Sequence, residues 1–114
     1  MNKKVKKSSE EFADSIMNTK EYKNYVKAKQ NFESDEESIQ LLKKIDRERG
    51  ELLKSNITLN EYKQTEDKVK NNITIQELAR AERDFFSLLR ETNDFLSNEI
   101  GTHFAYAQGG GRCG

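Results

Sequence analysis

The sequence has no proline, one cysteine and six glycines in 114 residues, and only one of those glycines, Gly50, precedes residue 101. Helix interiors exclude proline, whereas loop-rich and all-β chains use proline and glycine at turns and edges. About 100 residues without that punctuation argue for an all-helical chain with no β-sheet. A single cysteine permits no disulfide within the chain, which makes a cytoplasmic location the expectation. No apolar run reaches the length needed to cross a bilayer. Met1 to Lys7 carries four lysines but leads into Ser8, Ser9, Glu10 and Glu11 instead of an apolar stretch, so it reads as a basic, flexible N-terminus and not as a secretory signal. Charge of one sign is lacking too. Lys plus Arg and Asp plus Glu number 20 each, and without a long-range field neither direct nucleic-acid binding nor membrane binding is expected.

What is present is a highly polar chain, 33% hydrophobic and 35% charged, which supplies a thin core for one small domain. Residues 8–101 read as that helical domain, and 102–114 as a flexible glycine-rich tail with one cysteine. Helix starts are sought where a hydroxyl precedes a carboxylate by three residues, because the two side chains then satisfy the free amides of the first turn. Ser8 with Glu11, Ser34 with Glu37, Thr58 with Glu61 and Thr74 with Glu77 have this spacing. The spacing predicts helices at about 8–18, 20–33, 36–54, 59–71 and 75–100.

Each helix carries an apolar stripe. The first offers Phe12, Ala13, Ile16 and Met17; the second Tyr22, Tyr25, Val26 and Phe32; the third Ile39, Leu42, Ile45, Leu52 and Leu53; the fourth only Leu59, Tyr62 and Val69. The last is richest, with Ile75, Leu78, Phe85, Phe86, Leu89, Leu96 and Ile100 recurring at helical spacing. At 1.5 Å per residue this helix is roughly 39 Å long, which outruns a compact small domain. An elongated antiparallel hairpin or bundle of about five helices is expected, with those seven residues as the candidate interface to a second copy or a paralogous helical protein. A monomeric bundle that closes every face internally is the alternative. Phe85 and Phe86 point to adjacent sectors, so one can face the core while the other meets a partner. Asn93 sits on the stripe, where a buried amide can set register between helices.

Catalytic signatures are missing. His103 is the only histidine, and no Ser/His/Asp or Cys/His grouping surrounds it locally. The acidic run Glu33, Asp35, Glu36 and Glu37 spans a helix start, where carboxylates are favoured without a metal. Gly109-Gly110-Gly111 follows no strand and precedes no Lys-Ser/Thr, so it is not a phosphate loop. Lys20, Lys23, Lys27 and Lys29 are interleaved with acids, which makes a mixed solvated surface. Cys113, beside Arg112 and flanked by glycine, is placed as a reactive or metal-available thiol.

Phe12-Ala13, then Glu21-Tyr22 and Tyr25 with Ala28, then Asp35-Glu36-Glu37 before Leu41-Leu42 resemble the opening of the YlbF/YmcA family of small helical regulators. Ala81-Glu82 with Phe85, the segment Leu88-Leu89-Arg90-Glu91-Thr92-Asn93-Asp94-Phe95-Leu96, the Glu99-Ile100-Gly101 helix stop and the glycine-cysteine tail are similar to its closing helix and tail. The resemblance implies an all-helical, oligomeric, cytoplasmic protein of Gram-positive bacteria. Its implied work is as an adaptor without catalysis in competence, sporulation and biofilm formation. It also implies association with paralogues that hold an iron–sulfur cluster through cysteines and partner the endoribonuclease RNase Y in mRNA processing. The resemblance makes Cys113 a cluster ligand shared with other subunits, with no cofactor expected in the isolated chain, because one thiolate falls short of the four that a four-iron cluster takes. A small helical enzyme, or a metal- or redox-sensing protein using Cys113 and His103, is the competing expectation.

Overall fold

The computed structural model describes residues 1–101, which form five helices and no strand: α1 (Lys3–Met17), α2 (Lys20–Glu33), α3 (Glu36–Leu53), α4 (Leu59–Lys70) and α5 (Ile73–Ile100). The all-α architecture and the long last helix are as expected. Two starts differ from the sequence reading. The first helix begins at Lys3 and not near Ser8, because the Asn2 side chain accepts from the amides of Lys4 at 2.7 Å and Val5 at 3.3 Å. Ser8 and Glu11 lie mid-helix, and the basic stretch from Lys3 to Lys7 is its opening. The last helix begins at Ile73, capped by Asn72, and Thr74 stands inside its first turn. Ser34 ends α2, and Asp35 caps α3 in its place. Thr58 and Glu61 do form the reciprocal capping box.

The helices are arranged as two antiparallel pairs. Tyr22 and Tyr25, early in α2, meet Phe85 and Phe86, midway along α5, whereas Asn31, late in α2, lies near Glu77 and Arg80 in the first part of α5. Likewise Glu37 and Leu41 of α3 lie opposite Asp67 and Asn71 of α4. α1 precedes α2 along the same long helix, since Val5, Ser8 and Phe12 share a cleft with Leu96. The result is an elongated body of 56 × 29 × 22 Å. Its radius of gyration is 18.9 Å, well above the value of about 13 Å for a compact chain of roughly this length. The core is correspondingly thin. Ala28, Ile45, Ile75 and Ala81 are its buried apolar residues, joined by the polar Ser38 and Thr65. Gly101, at φ 82°, ends α5 in a left-handed conformation that glycine adopts without a Cβ clash.

Candidate functional site

The stripe on α5 divides into a closed half and an open half. Ile75 is only 7% exposed, inside the chain's own core, and Leu78 is half-buried. Phe85 is held by two rings of α2: it stacks on Tyr25 with centroids 5.3 Å apart and meets Tyr22 edge-on at 5.5 Å. Such aromatic pairs add to the area buried. Beyond this cluster α5 runs past the start of α2 at Lys20, and the stripe opens. Phe86 is 47% exposed, although its ring lies 6.1 Å from Tyr25; Leu89 is 39% and Ile100 59% exposed, with Leu96 half-buried between them. Asn93 is half-buried on the same strip. The seven stripe residues thus fall into a covered set, Ile75, Leu78 and Phe85, and a more exposed set, Phe86, Leu89, Leu96 and Ile100.

A second apolar face adjoins the open half. Val5, Phe12 and Met17 of α1 are exposed, and α1 has no buried residue. A cleft of about 680 Å³ is lined by Asn2, Lys4, Val5, Ser8, Ser9 and Phe12 with Leu96. Sequence reasoning missed its outer edge, because placing the helix start at Ser8 left Val5 outside. The signal was Asn2 before a run of helix-compatible residues. Phe95, 62% exposed, was also missed as a surface residue, since it falls away from the stripe.

The polar sites are of another kind. Ser38, fully buried, places its Oγ 2.7 Å from Asp35 Oδ2 and 3.0 Å from Asn72 Oδ1, so its one proton is shared between two acceptors. Asn72 Oδ1 also accepts from the Ile75 amide at 2.8 Å. Hydrogen bonds from Ser38 and Thr74 hold the Asp35 carboxyl below its ordinary pKa. This cluster ties the starts of α3 and α5 together and spends its groups on helix caps, which makes it structural. Glu48 Oε1 is a buried oxygen with no hydrogen-bond partner. The groove between α2 and α5 mixes Lys27 and Arg80 with Glu77 and Asp84. Among the described residues no group of three or more His, Cys, Asp or Glu is placed to hold a metal ion, and no helix is long and apolar enough to cross a membrane. His103, Cys113 and the whole tail from 102 to 114 lie outside the described residues.

The fold and surface define an all-helical protein whose prominent feature is an uncovered apolar face. A family model described as "Control of competence regulator ComK, YlbF/YmcA" matches residues 5–101, and the chain belongs to that family. Its description makes the family a regulatory one. Comparison with curated proteins and with solved structures gave no match.

Proposed function

We propose that this chain is a non-enzymatic regulatory adaptor that works by protein–protein association, through the open half of α5 and the adjoining face of α1. The observation that carries the reading is the run of Phe86, at the edge of the Tyr25 contact, with Leu89, Leu96 and Ile100 beyond it, Phe86, Leu89 and Ile100 exposed and Leu96 half-buried. Burying an apolar side chain contributes about 1.5–3 kcal/mol, and contiguous exposed apolar surface of this kind marks interaction sites. The family's link to the competence regulator ComK supports a regulatory output. Under this reading the partners are a second copy, paralogous helical proteins and RNase Y in the cytoplasm, and the same association serves competence, sporulation and biofilm formation.

An iron–sulfur cluster does not fit the chain by itself. It has one cysteine, and the described residues supply no further ligand group, whereas a four-iron cluster takes four thiolates. Any such cluster would need thiolates from other subunits beside that of Cys113. The test is co-purification of the full chain with RNase Y and with paralogous family members, wild type against Leu89→Glu. Wild type retained and the variant lost is the expected result. Equal retention of both would remove the open face from the reading, and retention of neither would remove the partner.

A further inference from the structure

We propose that α1 and the open end of α5 form a twofold antiparallel interface with a second copy of this chain, in which the lysine half of each α1 lies along the acidic half of the other. This deepens the association reading and rests on it. Three observations on α1 converge. First, Val5, Phe12 and Ile16 fall on one helical face with Ser8 and Ser9 between them, and that face opens on the cleft shared with Leu96. Small residues at the middle of a stripe allow two helices to cross closely. Second, the charges are segregated: Lys3, Lys4, Lys6 and Lys7 precede the serines, and Glu10, Glu11 and Asp14 follow them. Third, this order opposes the helix dipole, which favours acids at the start and bases at the end. None of the ion pairs among the described residues involves α1. Within one chain the charge order is a cost. Between two antiparallel copies it becomes complementary.

The flanks also match. At 100° per residue Lys4 and Glu11 share one side of the apolar face, and Lys6 and Glu10 share the other. A twofold axis perpendicular to both helices sets each flank against the same flank of its copy. An axis at Ser8 and Ser9 therefore brings Lys4 to Glu11 of the second copy, Lys6 to Glu10, and Val5 to Phe12, each twice. An anionic lipid surface is the other occupant that a lysine-bearing amphipathic helix suggests. It is disfavoured because three acids stand beside the four lysines on the same helix.

The test is sedimentation equilibrium of the full chain at low salt, comparing wild type, Lys4→Glu, Glu11→Lys and the double variant. Each reversal turns two attractive contacts of the dimer into repulsive ones, so about tenfold weaker dimerisation is expected for either single change. The double variant restores both contacts and should return to within about twofold of wild type. Lys4→Glu improves the match with the dipole at the start of its own helix, so its loss of association does not come from a weakened α1, and circular dichroism of Glu11→Lys checks the same for the second reversal. Unchanged dimerisation in the single variants, or a double variant weaker than either, would overturn the interface. In that case, Leu89→Glu still breaking the dimer would leave the association reading standing without it. A wild-type chain that stays monomeric at high micromolar concentration would end both for self-association. Sedimentation of such a monomer with phosphatidylserine vesicles would give the face to lipid.

Discussion

Ser38 and Asn72, 34 positions apart, meet through side-chain oxygens 3.0 Å apart at the place where α3 and α5 begin. Asn72 is at once the cap of α5 and the tertiary partner of a fully buried hydroxyl. Two helix starts, each with unpaired amides, converge on Asp35, Ser38 and Asn72. The junction joins the α3–α4 pair to the α2–α5 pair, and a body this thin has few other ties between them.

Replacing Asn72 by Ala should accordingly cost more than a surface cap. Loss of the cap alone costs about 1 kcal/mol, and the buried Ser38 hydroxyl loses one of its two neighbours. A drop in Tm of several degrees is expected in thermal unfolding, with Asn71→Ala, at the exposed end of α4, staying near wild type. Equal melting of the two variants would show that the junction adds nothing beyond local capping.

The same cluster sets an acid limit. Asp35 has a lowered pKa in the folded chain, caused first by the Ser38 hydrogen bond and then by that of Thr74. A carboxyl with a folded pKa below its unfolded value adds stability above the unfolded pKa and loses it as pH falls through the folded one. Below about pH 4, wild type should therefore lose stability more steeply than Asp35→Asn. Chemical unfolding at several pH values between 5 and 2 measures it, and parallel slopes would contradict the assignment.

Gly50 offers a gain instead of a loss. It lies within α3, and a Cβ built there meets nothing within 4 Å. Glycine in a helix is less favourable than alanine by roughly 0.5–1 kcal/mol. Gly50→Ala should raise Tm by a few degrees without altering association. A fall in Tm would mean that α3 must bend or open at that point.

The helices were legible in the sequence because periodic apolar residues and missing turn residues are local signals. α2 follows the expected 20–33 because Thr19 caps it and nothing distant competes. The start of α5 was misplaced at 75 since Thr74 with Glu77 imitates a capping box, while Asn72 gains its advantage from Ser38, a tertiary partner that no local pattern records. The length of the α5 stripe was legible as well. Its division was not. Ile75 and Ile100 occupy equivalent positions on the helical wheel, and only the neighbouring helices packed on the first part of α5 decide that one is buried and the other exposed. Val5 escaped because the helix start ahead of it depends on Asn2 alone.

That division gives the sharpest separation of folding from association. Ile75→Ala removes buried atoms from the core of a single chain and should cost about 2–4 kcal/mol, a loss of Tm seen at every protein concentration. Leu89 is 39% exposed and lies where α2 no longer covers α5. In Leu89→Glu a dilute sample should keep its helix content by circular dichroism, because the charge can reach solvent beside the neighbouring helix. The concentration dependence of its Tm, which reports an assembly that binds only the folded state, should disappear. Reversing Lys7, which lies outside the apolar face, should do far less to either quantity. Were Leu89→Glu to unfold the dilute chain, the strip would belong to the chain's own core; were it to leave the concentration dependence intact, the assembling surface would lie elsewhere.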